Sequence, residues 1–308
     1  MKKHLLTAAL VASTAASAQA ETIGFSMQRF DDNFLTIVRA ALEKRAMELG
    51  NVKVIIEDAQ GDVSRQQSQI ENYIASHVDA ILVVPVEADA GVTYSKMAAK
   101  AGVPLVFVNN QPSNVESLPE KQAFVGSNQI QAGTLEAQQA CKLLGGKGKA
   151  VILEGELGTV LARERTQAVR DVFKQDACKG IEILDEQPGN WQRTAAMDLT
   201  TNWLSAGLKF NAVIANNDEM ALGAIQAMKA AGAPMKDVVV AGIDAMPDAL
   251  AAMGRGELAV TVFQDAASQG VGGLDAALDI INGKPVAKKV FTKLELVTPE
   301  TMGQYVKK

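Results

Sequence analysis

The chain has 308 residues, of which 48% are hydrophobic and 21% charged, and its formal net charge is -5. That composition excludes a disordered, collagenous or low-complexity chain, and the acidic balance argues against nucleic acid or an anionic lipid surface as the main partner. The length predicts two domains, each able to bury its own core. Lys2 and Lys3 precede an apolar run over 5–12 and a small-residue tail ending Ala18-Gln19-Ala20. This layout predicts a secretory signal over 1–20, cleaved after Ala20. No later stretch is long and apolar enough to span a bilayer, and no lipid-bearing cysteine follows the signal, so a soluble, exported product is expected.

Removing the signal takes away His4 and leaves His77 as the sole histidine. A His-based triad or a multi-histidine metal site cannot be built from one His, and no metal or other cofactor is expected. His77 sits at the end of a helical pattern, where a solvated position is predicted. Cys141 and Cys178 are the only cysteines. In an oxidising compartment they are candidates to pair, with two separate buried thiols as the alternative.

Short apolar runs then recur in order, at 22–27, 52–57, 80–84 and 103–108, and again at 150–153, 181–184, 212–215, 238–243 and 258–263. Between them the spacing is helical. In the first interval Phe34, Ile37, Val38, Ala41, Leu42 and Leu49 form one stripe, with Asn33 as the predicted N-cap and Gly50 as the stop. Strands apolar on both faces and joined by helices mean parallel sheets in an α/β fold. Two doubly wound sheets with a cleft between them suit the length better than one large sheet. The longest irregular segment, 111–122, is the natural first crossing between them.

In open α/β sheets ligands bind beyond the carboxyl ends of the strands. The residues following the runs are Gln28, Phe30, Asp32 and Phe34 after the first, and Asn109 and Asn110 after the fourth. Arg163 follows the fifth, Trp191 the sixth, Asn217 the seventh, Asp244 the eighth and Gln264 the ninth. Amides and carboxylates bridge neighbouring hydroxyls and Arg donates in a rigid fork, while aromatic faces pack against the C–H face of a ring. The set reads as a site for a small, neutral, hydroxyl-rich ring. Each member has a plainer explanation: Asp32, Asn217 and Asp244 precede helices, where Asx residues cap, and Arg163-Glu164-Arg165 resembles a solvated helix face. Recurrence at one structural position, strand after strand, favours the site.

Enzyme motifs are missing. There is no Walker loop, GxSxG or HExxH, and Gly254-Arg255-Gly256-Glu257-Leu258-Ala259 fits GxGxxA only in the wrong context, after a helix and before a strand. A carboxylate pair such as Asp32 and Asp244 leaves a periplasmic sugar-processing enzyme as the alternative of another class. A transcriptional repressor is disfavoured by the export signal and by the lack of a helix-turn-helix ahead of the first strand.

The motifs Asn217-Asp218-Glu219-Met220-Ala221-Leu222-Gly223-Ala224, Ala162-Arg163-Glu164-Arg165 after Gly158-Thr159, and Gly242-Ile243-Asp244 with Pro247-Asp248 resemble the periplasmic sugar-binding proteins of the ribose/galactose type. Met27 to Leu35 is similar to the inositol- and rhizopine-binding branch. The resemblance implies a type I periplasmic binding protein: two similar lobes joined by three hinge crossings, near Gly126–Ser127, Gln264–Asp265 and Lys293–Leu294. The lobes would be 21–126 plus 265–293, and 127–264 plus 294–308. It implies a monomer in the periplasm that delivers a sugar or cyclic polyol to an ABC permease, with a chemoreceptor as a further partner. Arg163, Asn217, Asp244 and Gln264 match the family's ligand positions in type, and Phe34 and Trp191 match its stacking aromatics. Asn109-Asn110 replaces the common Asp-Arg and Asp32 a common Asn, which disfavours ribose and favours an inositol-like ring. The galactose branch's calcium loop is absent.

Overall fold

A computed structural model describes residues 20–306; the predicted signal segment up to residue 19 lies outside the described residues. The chain alternates strands and helices: β1 (Glu21–Met27), α1 (Asn33–Leu49), β2 (Val52–Asp58), α2 (Val63–Ala75), β3 (Ala80–Val83), α3 (Ala88–Ala101), β4 (Leu105–Val108) and β5 (Gln122–Gly126). A second series follows: α4 (Gln129–Leu143), β6 (Lys147–Glu154), α5 (Val160–Phe173), β7 (Gly180–Pro188), α6 (Arg193–Ser205), β8 (Ala212–Ala215), α7 (Asp218–Ala230), β9 (Val239–Ala241), α8 (Pro247–Gly254) and β10 (Thr261–Gln264). The chain then runs through α9 (Ala266–Ile281), β11 (Lys289–Phe291) and β12 (Leu294–Val297).

The first sheet has the order β11-β5-β4-β3-β1-β2, all parallel. The second has the order β7-β6-β8-β9, also parallel, and the antiparallel β10–β12 ribbon joins its edge through bridges at Ala241–Val260 and Asp244–Phe263. The two halves therefore repeat one topology. In each, the first strand (β1 or β6) lies between the second and third, which makes a switch point where a crevice opens at the strands' carboxyl ends.

Core strands β3, β4 and β8 are buried on both faces, which is why they read as unbroken apolar runs. Helix α1 shows how the intervals obey the helical period. Asp32 caps it, accepting from the Leu35 N–H at 2.8 Å, and Gly50 closes it in a left-handed turn at φ 73°. The buried stripe is Phe34, Leu35, Val38, Leu42 and Ala46. Full burial of Val38 and Leu42 stabilises by roughly 1.5–3 kcal/mol each. The cap is Asp32 rather than the predicted Asn33, and Ile37 falls at the stripe's exposed edge.

Three strands carried too little signal to be predicted. β5 contributes only Phe124 and Val125 as strong strand formers, and β11 and β12 have three and four residues. Missing β5 misplaced the first crossing. The segment 111–122 joins β4 to β5 within one sheet. The chain changes sheets after β5, again between β10 and α9, and again between β11 and β12. Helix α9 packs on α1 and on the first sheet. His77 is exposed just past α2. Cys141 and Cys178 form a disulfide with Cα atoms 5.7 Å apart.

Candidate functional site

The carboxyl ends of β1 and β4 face those of β6, β7, β8, β9 and β10 across a small cavity. Its lining comes from both halves: Gln28, Asp32, Phe34, Leu35, Asn109 and Asn110 from one, and Leu161, Arg165, Trp191, Asn217, Asp244 and Gln264 from the other. Most of these polar side chains are held by a second partner. Asn110 Nδ2 donates to Gln28 Oε1 and to the Pro85 carbonyl, each at 2.9 Å. That leaves Asn110 Oδ1 as an acceptor. Asn109 Nδ2 donates to Gln269 at 3.0 Å. Asp32 and Asn217 each spend one oxygen capping a helix, on the Leu35 and Met220 N–H groups. Capping and lining the cavity are here the same position seen from two sides.

Arg165 is the buried centre of the second half. Its Nε donates to Gln129 at 2.7 Å, Nη1 to the Asn216 carbonyl at 2.5 Å and Nη2 to Gln264 at 3.3 Å. Gln264 in turn donates to Asp244 Oδ1 at 2.9 Å. Three of the five guanidinium N–H groups are thus committed and two are left for a ligand. Burial lowers the Arg165 pKa, opposed by the Asp244, Glu136 and Asp218 carboxylates. Burial pushes the Asp244 carboxyl well up, opposed by Arg165, and raises Asp32 against its helix-cap hydrogen bond. Glu136, wholly buried on α4, is pushed well up in the same way, by burial.

Three lining residues hold backbone angles that L-residues rarely adopt: Asn109 at φ 62°, Trp191 at φ 64° and Asp244 at φ 128°. Such angles cost roughly 1–3 kcal/mol each and persist where side-chain aim matters. Trp191 lies on Gly155, where a Cβ would come 2.0 Å from the indole, so only glycine lets the ring lie flat at the end of β6. The Arg165 guanidinium stands 5.7 Å from the indole centroid, within cation–π range.

The model of the periplasmic binding protein domain family matches residues 23–285. The chain belongs to this family. It is 55% identical over 305 residues to the "Putative rhizopine-binding protein" of Rhizobium meliloti, covering 99% of each chain. It is 34% identical to the ribose import binding protein of Bacillus subtilis, over 90% of this chain and 87% of the other. An ABC transporter solute binding protein of Bacillus halodurans, solved with bound myo-inositol, superposes with a TM-score of 0.88 at 39% identity, covering 95% of this chain and 99% of that one.

In this periplasmic binding protein nine of the eleven residues singled out from sequence line the cavity, and two do not. Arg163 is exposed and its Nη1 donates to the Leu157 carbonyl at 3.2 Å. The Thr159 cap, which accepts from the Ala162 N–H, sets the phase of α5 so that Leu161, Ala162, Arg165 and Thr166 turn inward. Two residues along a helix is more than half a turn, so 163 and 165 face opposite ways. The signal was present: Leu161, Arg165, Ala168, Val169 and Val172 share one apolar stripe. Phe30 is half-buried and packs beneath the Arg39 guanidinium, 4.3 Å from its ring centroid, outside the cavity. Leu35 and Leu161 line the cavity but carry no chemical label that sequence could flag.

Proposed function

We propose that the chain is the solute-binding receptor of an ABC importer and that it encloses one neutral, hydroxyl-rich ring, an inositol-type polyol in preference to ribose. The observation that carries this reading is a lining that holds both acceptors and donors with hydrogen-bonding capacity to spare. Second carboxylate oxygens of Asp32 and Asp244 and the Asn110 carbonyl stand among N–H groups of Arg165, Asn217 and Gln28. A hydroxyl both donates and accepts, so a ring with a hydroxyl on each carbon uses such a set fully. The Trp191 face supports it from one side. An anionic sugar would put its charge beside Asp32 and Asp244. The names of the rhizopine-binding relative and the myo-inositol complex agree with a polyol, and the ribose relative supplies the second reading.

In this reading residues 21–126 with 265–293 move as one body, and 127–264 with the remainder as the other, about the three crossings. Ligand shifts the open–closed equilibrium by its differential affinity for the closed form. The receptor works as a monomer in the periplasm and presents its closed form to the permease or a chemoreceptor, making and breaking no covalent bond.

A thermal-shift panel of myo-inositol, an amino-inositol, D-ribose and D-galactose tests the proposal. Saturation with the favoured ring at 100 times its Kd stabilises the folded state by about 2.7 kcal/mol. A shift with ribose and none with either inositol would overturn the polyol reading. Asp32 also makes an ammonium substituent welcome. Asp32→Asn is expected to weaken an amino-inositol by about 10- to 100-fold, the range for a hydrogen bond to a charged group. Calorimetric titration showing the amine bound equally well by the variant would remove that assignment.

A further inference from the structure

Away from the crossings, a side chain that joins the two lobes also reaches the cavity's own lining. Glu156, two residues beyond β6, lies outside the cavity. One of its carboxylate oxygens accepts from Arg29 Nη2 and the other from Gln28 Nε2, both carried by the opposite lobe just past β1. Arg29 and Glu156 are largely withdrawn from water, with side chains 20% and 19% exposed, so their attraction is screened less than that of a surface pair. Gln28 lines the cavity and is tied at its other end, accepting from Asn110, another lining residue. Gln269 of α9 also joins the lobes at lining residues, accepting from Asn109 at 3.0 Å and donating to Gln264 at 3.4 Å, but it sits beside a crossing, five residues along from Gln264. Three further bridges touch no lining residue. Asn33 donates to Glu219 at 2.8 Å, Gln111 to Glu164 at 3.3 Å, and the Ala88 N–H to the Gly158 carbonyl at 3.1 Å.

We infer that Glu156 is a positioning residue that couples ligand occupancy to closure, by fixing Gln28 in its ligand-facing pose only when the lobes are shut. The inference rests on the proposed receptor function. Gln28 is a flexible side chain, and the bond from Asn110 to its carbonyl sets which way the amide faces but does not by itself fix the position of its N–H edge. With Glu156 taking one N–H and Asn110 supplying the carbonyl's donor, the remaining N–H is the group left for the ligand. Opening the lobes removes Glu156 and leaves the amide held at its carbonyl alone, so its N–H edge is free to swing away from the ligand. The ligand and the Glu156 carboxylate thus favour the same orientation of one amide, and each strengthens the other's hold.

The test uses Glu156→Ala, Arg29→Ala and the double variant of the full mature chain, with myo-inositol as the probe in stopped-flow and calorimetric titrations. Glu156→Ala is expected to weaken binding about 10- to 100-fold. The loss should lie in faster dissociation, with association within threefold of the parent. The double variant should be little worse than Glu156→Ala alone, because Arg29 acts through the same carboxylate. Binding within twofold of the parent, or a loss carried wholly by association, overturns the inference. If the parent protein binds no myo-inositol, the favoured polyol reading fails separately. Glu156 is then judged on ligand-free protein by pulsed electron-spin distances between the lobes. A more open Glu156→Ala supports the coupling and superimposed distributions overturn it.

Discussion

Arg165→Ala is expected to abolish measurable binding at ordinary ligand concentrations, whereas Arg163→Ala is expected to leave affinity within twofold of the parent. Arg165 is 2% exposed and its guanidinium joins Gln129, the Asn216 carbonyl and Gln264. It is also the cation set against Asp244, Glu136 and Asp218. Removing one partner of a buried charge cluster costs about 3–5 kcal/mol, or roughly 10²- to 10³-fold or more in affinity where the loss falls on the ligand complex. Part of the loss will appear as stability, since Gln264 and Asp244 lose their anchor in the free protein as well. Arg165→Lys separates the two roles: it keeps a charge but not the fork, so it should fold nearly as well as the parent and still bind poorly. Equal losses for Arg163→Ala and Arg165→Ala in calorimetric titration would refute the assignment of the two arginines.

That pair also shows where sequence reading reached its limit. The architecture was legible because parallel strands buried on both faces must be apolar throughout, and β3, β4 and β8 obey this without exception. The positions of the site were legible for a related reason. A polar residue placed directly after such a strand has either a cap or a ligand to serve, and Asp32 and Asn217 do both. The phase of a helix is harder, because it depends on where the first turn is capped. Reading Thr159 as the cap would have turned Arg165 inward, but the charge run around it looks like solvent-facing helix until the apolar stripe is extended through it. Phe30 failed differently. It follows the strand as closely as Asp32 does, yet the turn into α1 directs it under Arg39, and no local pattern encodes that. The interlobe contact of Glu156 joins residues 127 and 128 positions apart, a separation over which periodicity carries no information.

Replacing both cysteines by alanine is expected to lower the folding stability by about 4 kcal/mol, with ligand affinity at 25 °C unchanged within twofold. The bridge from Cys141 to Cys178 spans 37 residues of sequence, and cross-linking a loop of that length removes roughly this much conformational freedom from the unfolded chain. Both residues are buried in the smaller core that α4, α5 and β6 share with β7, β8 and β9, and neither lines the cavity. The bridge ties the end of α4 to the turn before β7. Helix α4 also packs on α5, the helix that supplies Arg165, and it carries Gln129, which holds Arg165 Nε. A binding loss could therefore arise only if α4 shifted. The extensive α4–α5 packing, including Gly133 against the α5 backbone, where a Cβ would meet the Arg165 carbonyl at 2.6 Å, fixes that helix independently of the bridge. Urea unfolding of the parent and the double alanine variant reads the first quantity, and titration of the folded variant reads the second. An unchanged unfolding midpoint would mean that the bridge does not restrict the unfolded chain as its loop length requires. Lost affinity in a folded variant would mean that the disulfide, rather than the helix contact, sets the position of Arg165.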